Sequence, residues 1–207
     1  MQTRADRTQE QSFSSRARVK ESQKEPVKDL DRQCHELLSQ NRGRDACTLI
    51  ARVLGSEVRG YCRGMMASES TGDDLYQDVL EAVLVGLPSF QFASSIRTWV
   101  YAIAHHLVLR RLRRYSRRKV VRLETGQADG LPGTDLRSQE SREHRRELVM
   151  ELRDRLAPED REVIILRAER ELSFRDIAVV LQTSEATARQ RFHRARKQIE
   201  ALLAEAE

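Results

Sequence analysis

The sequence predicts an all-α protein built as two small helical domains joined by a flexible linker, and three observations carry that prediction. Apolar residues recur at three- and four-residue steps through most of the chain, above all in the stretch Ser95 to Lys119, which contains no Pro or Gly for more than six turns. Gly126, Gly130, Pro132 and Gly133 then interrupt the chain among polar residues, as a linker does. A short helical pattern, the turn Gln182-Thr183-Ser184 and a long basic helical pattern close the chain.

Taken in order, residues 1–28 are rich in Gln, Ser, Arg and Lys and carry too few large apolar side chains to offset the entropy of ordering, so they read as a disordered basic and polar tail. A first domain is expected over 29–119. It opens with a helix from Leu30 to Leu38 that ends near Asn41 to Gly43, followed by Arg44 to Leu54, ended by Gly55. Ser56 then starts a third helix to about Met66. Thr71 has N-cap character with Asp74 three residues later, which predicts a helix with Leu75, Val79, Val83 and Leu87 inward. Asp73, Asp74, Gln77, Asp78 and Glu81 fall mostly off that stripe and make an acidic, polar face. Pro88 closes this helix, and 89–94 form a short loop.

The long helix that follows is capped by Ser95, or alternatively Ser94, and its stripe is Ile96, Val100, Ile103 and Leu107. Trp99 and Tyr101 lie in its first turns, just after Phe90 and Phe92. Its far end is basic: Arg110, Arg111, Arg113, Arg114, Arg117, Arg118 and Lys119. Aromatic surface beside a cationic end suits a nucleic-acid strand whose bases stack while its phosphates meet arginines.

A linker is expected over 120–141 and a second domain over 142–207. The second domain begins with a helix near Ser141 to Leu156, and Pro158 then stands as the first residue of a helix to about Arg170. Ser173 and Asp176 start Phe174 to Leu181, and a last helix runs from Glu185 to about Ala204 on the stripe Ala188, Phe192, Ala195, Ile199 and Leu202. Short helix, tight turn and long basic helix form a helix-turn-helix pattern, whose second helix enters a major groove. Arg and Gln suit base edges because their forked groups form paired hydrogen bonds. Gln182 stands where many such turns place Gly, so the turn must take its geometry from a non-Gly residue.

Lys plus Arg exceed Asp plus Glu by 37 to 32, a balance that fits polyanion partners. The polar N-terminus has no apolar signal segment, and no apolar run is long enough to span a membrane, so a cytoplasmic protein is expected. Cys34, Cys47 and Cys62 make an odd count without a C-x-x-C pair, which argues against a disulfide framework. With His35 they match none of the common zinc spacings, so buried thiols are expected and no metal or other cofactor is predicted. Neither a nucleophile–base pair nor a phosphate-binding glycine loop stands out, and no catalytic residue is proposed.

Three blocks together resemble bacterial RNA polymerase sigma factors of the extracytoplasmic-function (ECF) group: DDLYQDVLEAVLVGLPSF at 73–90, SIRTWVYAIAHHLVLRRLRR at 95–114, and the whole of 156–203. The resemblance implies two helical domains, sigma regions 2 and 4, and a non-enzymatic subunit of transcription initiation. It implies that Asp74, Gln77, Asp78 and Glu81 dock on the β′ clamp of core RNA polymerase. The −10 element, as single-stranded DNA, would meet Phe90, Phe92, Ser94, Ser95, Arg97, Trp99, Tyr101, His105, His106, Arg110, Arg113 and Arg114. The −35 element would meet Ser184, Thr187, Arg189, Gln190, Arg191, His193, Arg194 and Lys197. The linker would thread the polymerase, contacts to the β subunit are implied, and so is an anti-sigma factor that holds the protein at the inner membrane. Sigma factors open DNA by binding energy, since a pocket and aromatic stacking offset the cost of flipping out a base. The chain departs from the family at His106, where many members carry Asn, and at Arg110, where many carry Asp; both bear on −10 preference and melting. Two other readings are a helix-turn-helix regulator that binds duplex DNA without polymerase and a sigma mimic that titrates an anti-sigma factor.

Overall fold

The computed structural model describes residues 29–66, 68–125 and 155–205, which carry seven α-helices and, among the described residues, no strand. The tail 1–28, residues 126–154 and most of the expected helix at 141–156 lie outside the described residues.

Helix α1 (Leu30–Ser39) ends where Asn41 takes a left-handed φ of 60°. The next helix corrects the expectation of a break at Gly55. α2 runs unbroken over Gly43–Met65, and Gly55 is interior to it. Its role is spatial, because a Cβ at Gly55 would stand 2.6 Å from the Tyr76 hydroxyl of α3 (Glu69–Gly86). The start of α3 is a second correction. Ser68, not Thr71, is the N-cap, and its hydroxyl accepts from the Thr71 N–H. Gly72 therefore lies inside α3, where a Cβ would meet the Arg63 backbone at 2.5 Å, so its absence is what lets α2 and α3 approach.

A 3₁₀ turn at Leu87–Ser89 leads to the loop before α4 (Ile96–Thr125). Ser95 caps α4 by accepting from the Thr98 N–H at 3.0 Å, and Asp31 of α1 accepts from the Ile96 N–H at 2.7 Å. The helix continues to Thr125, beyond Lys119, so the first residues of the expected linker are helical. Its inward face is also wider than the expected stripe: Ile96, Val100, Tyr101, Ala104, His105 and Val108 are buried, whereas Ile103 and Leu107 are half-buried.

Pro158 stands first in α5 (Pro158–Ile164), which passes into a π turn at Ile165–Glu169 with the Arg170 N–H donating to the Ile165 carbonyl. Ser173 caps α6 (Phe174–Val180). The turn to α7 (Glu185–Glu205) takes its geometry from Gln182 at φ 50°, so the non-Gly turn is present as expected. Buried residues of α5, the π turn, α6 and α7, among them Val163, Leu166, Ile177 and Ala188, join those of α1 to α4 in one continuous core. The last three helices thus lie against the first four.

Candidate nucleic-acid interface

Three surfaces emerge from these elements. On α3, Leu75, Val79 and Val83 are fully buried, and helical geometry turns Asp74, Gln77, Asp78 and Glu81 outward together at steps of three and four. All four are exposed. Asp78 is also engaged from α4 by Arg111, 2.7 Å away, and Arg111 donates its other guanidinium arm to the Thr71 carbonyl. Asp73, at the edge of this face, is turned instead toward α2, where Arg59 and Arg63 each donate two hydrogen bonds to it at 2.6–2.7 Å. Those guanidinium bonds hold its carboxyl well below the usual carboxylate range. A groove of about 500 Å³ is lined by Asp78, Glu81, Val85, Leu107, Arg110 and Arg114.

The second surface is the loop before α4. The Phe90 ring lies 4.7 Å from that of Trp99 and 4.8 Å from that of Phe92, whose own edge meets His35 of α1 at 5.0 Å. These four rings form one row, with Phe90, Phe92 and Trp99 half-buried. Gly86 allows it, because a Cβ there would sit 3.1 Å from the Trp99 ring. Phe92 holds φ at 54°, a conformation costly for a bulky side chain and sustained by its two ring contacts. Ser94 and Ser95 flank the row, half-buried. Beyond it His106, Arg110, Arg113 and Arg114 are exposed, and His106 donates from Nδ1 to the Ala102 carbonyl at 2.8 Å. With Leu109 and Gln182 they line a cleft of about 530 Å³.

Three residues expected on the strand-facing surface are engaged within the protein instead. Tyr101 is fully buried, edge-on to Tyr61 at 5.5 Å, and burial together with Glu57 pushes its hydroxyl pKa up. Arg97 pairs with Glu57 at 2.8 Å and donates to the Arg170 carbonyl at 2.6 Å. His105 is buried against Glu162 of α5, with its Nδ1 2.7 Å from the carboxylate. The physical reason is common to all three: they share the face of α4 that α2, α5 and α6 cover.

The third surface is α7. Ser184 caps it, accepting from the Thr187 N–H at 3.1 Å, and Glu185 in its first turn pairs with Arg189. The Arg189 guanidinium also lies 4.7 Å from the centre of the Phe174 ring. Gln190, His193 and Lys197 are exposed at steps of three and four, while Arg191 is half-buried. Arg194 is engaged: it grips Asp160 of α5 with two hydrogen bonds of 2.6 and 2.8 Å, and Asp160 is 2% exposed. The bidentate geometry that suits a guanine edge here suits a buried carboxylate.

Sequence reasoning missed His35, Glu57, Tyr61, Asp160 and Glu162. Asp160 and Glu162 follow Pro158 and read as first-turn acids that complement the helix dipole, and Tyr61 reads as one more apolar-face residue. Nothing local distinguishes them.

The architecture defines an all-α protein with a row of aromatic rings beside exposed guanidiniums and, packed on the same core, a helix-turn-helix. Comparison with known proteins agrees. The model of sigma-70 region 2 matches residues 50–118 and that of sigma-70 region 4 matches residues 146–199. The chain is 33% identical over 159 residues to the RNA polymerase sigma factor YlaC of Bacillus subtilis (strain 168), covering 75% of this chain and 91% of the relative. It is 32% identical over 149 residues to the ECF RNA polymerase sigma factor EcfG of Rhodopseudomonas palustris (strain TIE-1), covering 70% and 78%. Its fold is similar to that of CnrH bound to the cytosolic domain of CnrY, with a TM-score of 0.65 and 24% identity over 86% of this chain and all of that one. It is also similar to the sigma factor RpoE bound to the anti-sigma factor NepR from Bartonella quintana, with a TM-score of 0.63 and 21% identity over 78% and 98%. The chain belongs to the sigma-70 family, in its ECF group. Among the described residues no helix is long and apolar enough to cross a membrane.

Proposed function

We propose that the protein works as a non-enzymatic ECF sigma subunit in the cytoplasm: it joins core RNA polymerase, reads a −35 and a −10 element, and opens the promoter. The observation that carries this reading is the row His35, Phe92, Phe90 and Trp99 beside His106, Arg110, Arg113 and Arg114. A duplex reader needs no half-buried aromatic row next to exposed guanidiniums. A strand whose bases leave the stack does, because each base gains a ring face while its phosphates gain cations.

In this reading Asp74, Gln77, Asp78 and Glu81 are the polymerase-docking face, with Asp78 exchanging Arg111 for a cation of the partner. Gln190, His193 and Lys197 read the −35 duplex from α7, with Arg189 and Arg191 alongside them, and Ser184 and Thr187 fix the helix end. The division is 29–119 for the polymerase-docking and strand-capturing unit and 142–207 for the duplex reader, with 120–141 between them. An anti-sigma factor is a further partner, because two solved structures of similar fold are complexes of that kind or with a cytosolic partner domain.

The test is abortive transcription with purified core polymerase on the DNA upstream of the protein's own gene, as a full duplex and premelted across −10. Activity on both templates is expected of a sigma factor that melts DNA. Activity on the premelted template alone assigns weak opening to His106 and Arg110. Duplex binding without core binding would replace this reading with a polymerase-independent regulator, and core binding without activity would favour a sigma mimic.

A further inference from the structure

The loop that carries Phe90 and Phe92 has no regular structure of its own between the 3₁₀ turn and α4. Within it Phe92 holds a left-handed φ of 54°, which a bulky side chain keeps only where its surroundings over-determine it. Of its two ring partners, Phe90 at 4.8 Å belongs to the same loop and moves with it. The other is His35, whose ring meets that of Phe92 at 5.0 Å from α1. At the far end of the loop, α4 begins with N–H groups that have no partner within their own helix. Ser95 accepts from the Thr98 N–H, and Asp31 of α1 accepts from the Ile96 N–H at 2.7 Å. The first is a local cap; the second reaches across 65 residues.

Both ties come from one helix. Asp31 and His35 stand four residues apart on α1, a spacing that puts them on one face, and they meet Ile96 and Phe92, which are also four residues apart. The helix itself is fixed, because Leu30 and Cys34 are buried in the core at 1% and 0% exposure. His35 is exposed, so its ring serves the contact with Phe92 rather than the core.

We propose that α1 braces the base-capturing loop, with Asp31 and His35 as positioning residues that fix Ile96 and Phe92 and so hold the row of Phe92, Phe90 and Trp99 ready for an unpaired base. A loop ordered before binding loses less freedom when the strand arrives, so the brace raises affinity without touching DNA. The proposal rests on the sigma-factor reading for the base, and on the contacts alone for the brace.

The experiment uses the full chain and the variants His35→Ala, His35→Phe, Asp31→Ala and Asp31→Asn. Phe keeps a ring beside Phe92, and Asn keeps an oxygen that accepts from Ile96. Trp99 is the single tryptophan of the chain and part of the row, so its emission and its quenching by acrylamide read the loop in the free protein. Circular dichroism checks that helix content is kept. Both Ala variants are expected to shift Trp99 emission to the red and to be quenched more readily, and the Phe and Asn variants to behave as wild type. The second readout is fluorescence anisotropy of the polymerase-bound protein on a labelled single strand, the non-template side of the −10 region upstream of its own gene. Each Ala variant should bind that strand about two- to tenfold more weakly, as expected when a side chain must be ordered on binding, while a −35 duplex binds as before.

Unchanged Trp99 emission and quenching in both Ala variants overturns the brace. Weaker strand binding with Trp99 unmoved would make His35 a direct base contact instead. A loosened Trp99 with strand binding at the wild-type level overturns the positioning role, and His35→Phe as loose as His35→Ala overturns the ring contact. A loosened row in a chain that binds no strand in any form, wild type included, sustains the brace and overturns the sigma-factor reading.

Discussion

The two basic helices, α4 and α7, read alike in sequence and end differently in structure. Each carries an apolar stripe, and each sets Arg, His and polar residues off it. On α7 the polar set remains exposed at Gln190, His193 and Lys197. On α4 the first half of the set is consumed: Arg97 by Glu57 and the Arg170 carbonyl, His105 by Glu162, while His106, Arg110, Arg113 and Arg114 stay in solvent. The difference lies in what packs on each helix. α7 packs against α5 and α6, whereas α4 packs against α3 and α2 and also against α6, with His105 reaching Glu162 of α5. A cation off the stripe is a free cation only when no second layer arrives.

The sharpest way to break this comparison is Tyr101→Ala on α4. Removing a fully buried ring that meets Tyr61 edge-on should cost about 3–5 kcal/mol, seen in urea unfolding followed by circular dichroism. If Tyr101 reached DNA instead, promoter affinity would fall while stability held. Gln190→Ala on α7 should do the reverse. Unfolding should stay within about 0.5 kcal/mol of wild type, and −35 binding should weaken by about 1–3 kcal/mol with relaxed sequence preference, measured by fluorescence anisotropy on matched and altered duplexes.

Arg194→Ala tests an α7 cation that, like those of α4, is held by an acid from another helix. It leaves Asp160 buried without its guanidinium, but Arg194 is 56% exposed and solvent already weakens the pair, so urea unfolding should show a loss smaller than that of Tyr101→Ala. Its effect on DNA binding should be similar on every promoter sequence. A sequence-selective loss with unchanged stability would return Arg194 to base readout.

The smallest effect concerns Asp73, which ties α3 to α2 and meets neither basic helix. Its folded-state pKa is depressed by Arg59 and Arg63, so its contribution is complete above the unfolded value of about 4 and is lost as pH falls through the lower folded value. Asp73→Asn should therefore lower stability at neutral pH and flatten the decline on the acid side. Urea unfolding from pH 7 to pH 2 checks it, and parallel curves for the two proteins would remove Asp73 from the acid response.

Much of this was legible in advance. Ser95 and Ser173 announced their helices, Pro158 marked the start of α5, and Gln182 adopted the left-handed turn its position required. The errors share a cause. Thr71 was a plausible cap and Gly55 a plausible stop, but whether a glycine ends a helix or lets another chain approach depends on that other chain. Arg63 stands against Gly72 and Tyr76 against Gly55, from a different helix in each case.

By itself the sequence determined the helices, their apolar faces, the acidic face at Asp74 to Glu81, the helix-turn-helix and the family. These depend on periodicity, caps and turn residues within a few positions of one another. Only the tertiary structure decided which charged groups are spent inside. Glu162 meets Tyr61 across 101 residues and His105 across 57, and Arg194 meets Asp160 across 34. Such pairs leave no local pattern, because the penalty for burying a charge alone is set by where the distant partner lies when the chain is folded.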